Sequence, residues 1–239
     1  MIEKLLLKLR ARDDVSDEEE RALRSAVASV EEVEADRTIV RGGEDLTQCV
    51  LLLEGLLCRY KDLRKGERQI MELHVAGDFA DLHSFTLKRL DHNVMSLTPC
   101  RLALVPHDRL EEISRDHPHL TRLLWFSTNL DASIHREWVL SLGRRTAVAR
   151  VAHLFCELYV RLGIAGLARE LEYDLPLTQA DLAECMGLTS VHVNRTLREL
   201  REQGLVEFRA GTVRFIDLAG LQRLAEFDPG YLYLERRRR

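Results

Sequence analysis

The stretch PLTQADLAECMGLTSVHVNRTLRELREQGLVEFRAGTV, residues 176–213, decides how this chain is read. Thr178 followed three residues later by Asp181 forms a capping box. The hydroxyl accepts from an orphan amide at a helix start, and the carboxylate sits at the positive end of the helix dipole. Leu182, Ala183 and Met186 keep one face apolar, and Gly187 can enter the left-handed region without a Cβ clash. This spacing predicts a short helix that stops at Gly187. Thr189 caps a second helix, in which Val193, Leu197 and Leu200 recur as a buried stripe until Gly204.

The outward face of that second helix is Ser190, Val191, His192, Asn194, Arg195 and Arg198. A solvated helix would carry Glu and Lys pairs there; this one carries hydrogen-bonding groups and one exposed valine. Arg can bond guanine through two donors, Asn can bond adenine, and an apolar group can rest on a thymine methyl. An ordinary amphipathic helix is the plainer alternative. Two capped helices in tandem favour a DNA reader.

The run LTQADLAECMGLTSVHVNRTLRELREQGLV, followed by a short Arg and Gly hairpin, resembles the winged helix-turn-helix of the Crp/Fnr transcriptional regulators. The resemblance implies a supporting helix over 178–186, a recognition helix over 189–203 and a wing over 208–215 around Gly211. It implies that Arg195 reads guanine, with Ser190, Val191, His192 and Asn194 at neighbouring reading positions. Thr178, Gln179, Thr189, Arg198 and Arg209 complete the expected DNA-binding set. Val191 departs from the pattern, since many members carry a cytosine-contacting glutamate there, so the operator is expected to differ at that base. The implied partners are double-stranded DNA and a second copy of the chain, with RNA polymerase a further candidate.

A chain of 239 residues, 46% hydrophobic and 31% charged, fits a soluble two-domain protein. The opening MIEKLLLKLR is interrupted by Lys8 and followed by no small-residue cleavage site, so it reads as an amphipathic helix of a cytoplasmic protein. A net charge of -4 argues against a protein that coats nucleic acid, although a specific regulator needs only a local basic surface. Arg236 to Arg239 form a basic tail, expected to dangle in solvent or to touch phosphates. The five cysteines, at 49, 58, 100, 156 and 185, show no Cys-x-x-Cys spacing and read as reduced, buried thiols. The oxygen-sensing branch of the resembled family holds an iron–sulfur cluster on closely spaced N-terminal cysteines. With none before Cys49, no such cluster is expected.

From about residue 39 to 105, short strand-like runs alternate with Gly and polar turns, which reads as a small β-roll. QCVLLLEG and AGDF extend the resemblance to the cyclic-nucleotide-binding roll of the same regulators. The implied fold is α+β: an N-terminal double-stranded β-helix (jelly-roll) over 1–115, a dimerisation helix over 116–143, a winged helix-turn-helix over 144–225 and a tail over 226–239.

The nucleotide site itself departs from the family. Members that bind cyclic AMP follow the Gly-Asp-Phe turn with a Gly-Glu pair and then an Arg-Ser/Thr-Ala run that clamps the phosphate. Here Asp81 and Leu82 stand at the first, and Leu90, Asp91 and His92 at the second, with Arg89 displaced by one. An aspartate about 4 Å from a phosphate monoanion would repel it by about 1 to 4 kcal/mol. Cyclic AMP is therefore not expected, and no other cofactor is predicted. The long-helix positions that contact adenine become His135 and Arg136. Asp81, His83, Arg89, Asp91, His92, His135 and Arg136 are the candidate effector pocket. His74, His83, His92, His107, His117 and His119 follow no ligand spacing, so no metal is assigned. A small-molecule or metal-sensing roll protein and a true cyclic-nucleotide-responsive regulator are the alternatives. No nucleophile, base and oxyanion set suggests an enzyme.

A helix over 118–143 would run roughly 39 Å. Its Leu120, Leu123, Leu124, Ser127, Leu130, Ile134 and Trp138 approximate a heptad seam and are the expected dimer interface. Two recognition helices about 34 Å apart would then read an inverted repeat. Arg144 and Arg145 mark a hinge. Beyond it, Val148, Val151, Phe155, Leu158 and Leu162 predict the reader's core, closed by Phe208, Phe215, Leu218, Leu221 and Leu224.

Overall fold

The computed structural model describes residues 1–239. Two helices lead in, α1 (Glu3–Arg10) and α2 (Asp17–Ala26), the second started by a Ser16–Glu19 capping box. Seven strands follow: β1 (Ser29–Val33), β2 (Thr38–Val40), β3 (Gln48–Glu54), β4 (Leu56–Asp62), β5 (Arg68–Val75), β6 (Asn93–Ser96) and β7 (Cys100–Pro106), with the short α3 (Ser84–Leu87) inserted before β6. They form two antiparallel sheets, ordered β1-β7-β3 and β2-β6-β4-β5.

Both faces of the central strands are covered, which is why they read as unbroken apolar runs. On β3, Val50 and Leu52 point between the sheets while Cys49, Leu51 and Leu53 pack under the helices. On β4, Leu57 points between the sheets, whereas Leu56, Cys58 and Tyr60 join the core that continues into the C-terminal domain. β1 was not legible as a strand: Ser29–Val33 is acidic and largely exposed, an edge whose charges blunt further pairing.

Next come α4 (His107–Asp116), α5 (Pro118–Arg144) and α6 (Ala147–Ile164). Arg145 and Thr146 are extended, breaking the chain between α5 and α6 at the anticipated hinge, and the Thr146 hydroxyl caps α6. Val151, Phe155, Leu158 and Leu162 are buried in the reader's core together with Phe215 and Leu221, with Val148, Phe208, Leu218 and Leu224 packed against it. β8 (Ala168–Arg169), β9 (Glu172–Asp174), α7 (Gln179–Met186), α8 (Ser190–Glu202), β10 (Val206–Arg209), β11 (Thr212–Phe215) and α9 (Leu218–Ala225) complete that domain, the strands in the order β10-β11-β9-β8.

Two expectations are corrected. Leu120, Leu123 and Leu124 are buried under the roll's outer sheet and Ile134 and Trp138 in the reader-side core, with Ser127 and Leu130 half-buried. An apolar repeat marks where a helix is covered but not by what, and here the cover is the chain itself. Arg122, Trp125, Asn129, Ala132, Arg136 and Val139 form an exposed row on α5, spaced alternately by three and four along the helix. The tail does not dangle either. After the 3-10 turn Pro229–Leu232, with Leu232 fully buried, it crosses to the start of the chain. The Arg237 amide donates to the Arg12 carbonyl at 2.9 Å, the Arg239 amide to Asp13 Oδ2 at 2.7 Å, and the Arg239 guanidinium lies 3.7 Å from the Phe126 ring centre.

Candidate nucleic-acid interface

α7 and α8 are set by their caps. Thr178 accepts from the Asp181 amide at 3.1 Å while Asp181 accepts from the Thr178 amide at 2.7 Å, and Gly187 ends α7 in the left-handed region. Thr189 accepts from the His192 amide at 3.3 Å. Val193, Thr196 and Leu200 bury one side of α8, with Leu182, Cys185 and Met186 in the same core. The other side is therefore forced outward.

Ser190, Val191, Asn194, Arg195 and Arg198 are all exposed and His192 is half-buried, so the six predicted reading residues share one helix. Val191 is 81% exposed. Covering it with an apolar group such as a thymine methyl would gain hydrophobic free energy. Gln179 stands beside this face and accepts from Asn194 Nδ2 at 3.2 Å, which orients the amide.

The wing β10–β11 turns at Ala210 and Gly211, both at positive φ as a two-residue hairpin loop requires. Between wing and α8 lies a cleft of about 230 Å³ lined by Asn194, Arg198, Arg201 and Arg209 among others. Arg201 was missed, although its spacing of three from Arg198 was a readable signal. None of Arg195, Arg198, Arg201 and Arg209 enters an ion pair, whereas Arg214 on the same hairpin is held by Glu172 at 3.2 Å. Three unpaired guanidinium groups and one carboxylate, Glu207, line the cleft, and the fourth arginine, Arg195, stands on the same helix; the cationic excess suits a polyanion.

The reader is docked on the roll. Gln69 Nε2 on β5 donates to the Glu184 carbonyl at 2.8 Å and to that of Cys185 at 3.4 Å, capping the end of α7. Arg150 donates to the Met186 carbonyl from α6.

The candidate effector residues are not gathered into one pocket. Asp81 is buried, accepts from the Val50 amide at 2.6 Å and has its second oxygen unpartnered; burial pushes its carboxyl up to about 7. The rings of His83 and His92 lie 5.4 Å apart, tilted by 33°, and desolvation holds His83 down at about 3. Arg89 lies outside, paired with Asp45 at 2.5 Å, and exposed Asp91 pairs with Lys61 at 2.5 Å. Arg136 is exposed on α5, while the ring of His135 stands 3.5 Å from Glu72.

The group that occupies the roll's inner side went unpredicted. Buried Arg59 on β4 donates to the Ala80 carbonyl at 2.7 Å, to Glu72 at 2.8 Å and to Asp131 of α5 at 2.9 Å. Its partners lie 13 and 72 residues away, so no local motif could have revealed it.

Comparison with known proteins agrees with this architecture. A Crp-like helix-turn-helix domain matches residues 149–224, and a cyclic nucleotide-binding domain matches residues 30–117. The nitrogen fixation regulation protein FixK of Bradyrhizobium diazoefficiens is 30% identical over 188 residues, 76% of each chain. The transcriptional activator protein FnrA of Stutzerimonas stutzeri is 24% identical over 188 residues, 79% of this chain and 77% of its own. The solved structure of FixK2 from Bradyrhizobium japonicum superposes with a TM-score of 0.75 at 27% identity, covering 83% of this chain and 97% of that one.

Proposed function

The chain belongs to the Crp/Fnr family of transcription regulators, and from that premise we propose that it acts as a homodimer reading an inverted-repeat operator through the outer face of α8. It is a DNA-binding regulator and not an enzyme, as the family's members are. The observation that carries the finer reading is the bare face of α8, with Val191 in solvent and no carboxylate on Arg195 or Arg198. Arg195 and Asn194 read base edges, Val191 meets a thymine methyl, and Arg198, Arg201 and Arg209 hold phosphates.

Dimerisation uses the exposed row on α5, where Trp125 is 68% and Val139 65% exposed and Ala132 between them leaves room for close approach. Two such rows pair in parallel about a twofold axis and set two recognition helices into successive major grooves. RNA polymerase remains a candidate partner.

A cyclic nucleotide does not fit the roll. Every nitrogen of Arg59, its inner cation, is already engaged, and Glu72, Asp81 and Asp131 surround it. A phosphate monoanion would approach these carboxylates while Arg59, the cation they share, is already paired. The regulator therefore works without cyclic AMP.

Selection of bound duplexes from a random pool, with and without cyclic AMP, tests the whole reading. A two-half-site palindrome recovered equally in both arms is the expected result. A single half-site, no enrichment, or enrichment only with the nucleotide would overturn it.

A further inference from the structure

The inner charge cluster of the roll is incomplete within one chain. Arg59 is the only arginine or lysine that contacts Glu72 or Asp131, and it serves both. Glu72 is fully buried, yet its Oε1 has no hydrogen-bond partner, a situation that native proteins rarely leave unresolved. On the side of this carboxylate nearest α5 stands His135, whose Nδ1 lies 3.5 Å from the other oxygen, Oε2, and whose side chain is 39% exposed. Asp131 also keeps an opening, with 18% of its side chain exposed.

His135 flanks the exposed row of α5. If Arg122, Asn129 and Arg136 are the first core positions of successive heptads, then Trp125, Ala132 and Val139 are the fourth. In a parallel pair, the first-position side chain of one helix enters a hole on the other, formed by the preceding fourth and seventh positions and the following first and fourth. For Arg136 that hole is Ala132, His135, Arg136 and Val139. It has a small residue on one side and the Glu72-linked imidazole on the other. An arginine placed there faces its own twofold mate, and the two like charges repel unless an anion lies within reach. Glu72 and Asp131 are the anions on that side.

We infer that Arg136 of a second copy of the chain completes the roll's charge cluster, reaching past His135 towards the Glu72 carboxylate and the exposed side of Asp131. The site is then shared between protomers, and neutralising it rewards pairing in one register. It deepens the dimer proposed above and rests on it. The charged and titratable groups around Asp131 and its neighbour Glu72 are Arg59 from β4, His74 from β5, Asp78 from the following loop, Lys8 and Arg12 from α1, Arg161 from α6, and His135 on its own helix. Burial first, and then Glu72, hold the Asp131 carboxyl up at about 7 in the single chain. A partner cation would favour its ionised form.

Arg136→Met keeps an unbranched apolar stem at this exposed position and removes the charged head. Sedimentation equilibrium of the full chain at pH 8 is expected to give a dimer dissociation constant raised tenfold or more by this change. The gap should narrow towards pH 6 as Asp131 takes a proton, and it should shrink in an Asp131→Asn background. If Arg136 only opposed its symmetry mate, Arg136→Met would tighten the dimer or leave it unchanged, and that result overturns the inference while sparing the dimer. A wild-type chain that stays monomeric at every concentration would instead remove the dimer reading itself.

Discussion

Arg195 on α8 stands in solvent without an ion-pair partner, whereas Arg59 on β4 is buried and divides its guanidinium among Glu72, Asp131 and the Ala80 carbonyl. Both residues lie on regular elements of cognate domains. Their difference lies in what has already claimed them. An arginine whose charge is unpaired can bind an incoming anion, and one whose charge is already shared between two carboxylates mainly holds together the parts it touches. The reader faces outward with unspent donors, while the roll has turned its charges into structure between β4, β5 and α5.

That contrast breaks most visibly at Arg59. Arg59→Ala leaves Glu72 and Asp131 facing each other with no arginine between them, and removing one partner of a buried pair typically costs about 3–5 kcal/mol. Thermal or urea unfolding should show that loss. A variant of unchanged stability would mean that water, not Arg59, carries those carboxylates.

The roll's burial also predicts a pH signature. Asp81 has its folded pKa pushed up to about 7 by desolvation, above its unfolded value of 3.8, so the folded state binds the extra proton. Its contribution to stability is full below about pH 4 and is lost as pH rises through about 7. Asp81→Asn should therefore gain on the wild type across that window by on the order of 2 to 4 kcal/mol, with no further change above it. The downward-shifted histidines His74 and His83 act in the opposite direction, but they are common to both proteins and cancel in the difference. Unfolding curves for the two proteins that stay parallel from pH 4 to 8 would contradict the assignment.

On the reader, Arg195→Ala is expected to weaken binding to the specific operator by about 1 to 3 kcal/mol and to relax selection at one base pair. Fold stability should be untouched, because the side chain is exposed and unpaired. Equal loss on specific and random duplexes would move Arg195 from base reader to phosphate contact.

The two regions also differ in how far their sequence discloses them. The helix-turn-helix was legible because its signals are local: the Thr178–Asp181 box, Gly187, the Thr189 cap and the stripe of Val193 and Leu200 all lie within a few turns of what they determine. The general β-roll was legible from its strand and glycine rhythm, but the acidic edge strand β1 was not, since Glu31 and Glu32 mask the alternation. On α5 the helix and its length were readable and the phase of its free face was not. Leu120, Leu123, Ile134 and Trp138 give the stronger apolar pattern, and the chain itself covers them. Asp81 drew notice by its place after the Gly-Asp-Phe turn, while the Arg59 cluster joins residues that only the folded sheet and α5 bring together.

The smallest expected effect separates phosphate binding from base reading on one surface. Arg209 ends β10 at the lip of the cleft opposite α8, exposed and without an ion-pair partner, across the strand pair from Thr212. A side chain at the tip of a wing is too far round the duplex to reach the bases that α8 covers, so its free energy comes from neutralising phosphate and releasing counterions. Arg209→Ala should then weaken specific and random duplexes by the same factor and reduce the slope of log K against log salt by about 1. Arg195→Ala, measured in the same salt series, should change the specific affinity and leave the random-duplex slope nearly where it was. If Arg209→Ala altered the selected sequence instead, the wing would be inside a groove, and the division of labour between α8 and the hairpin would have to be redrawn.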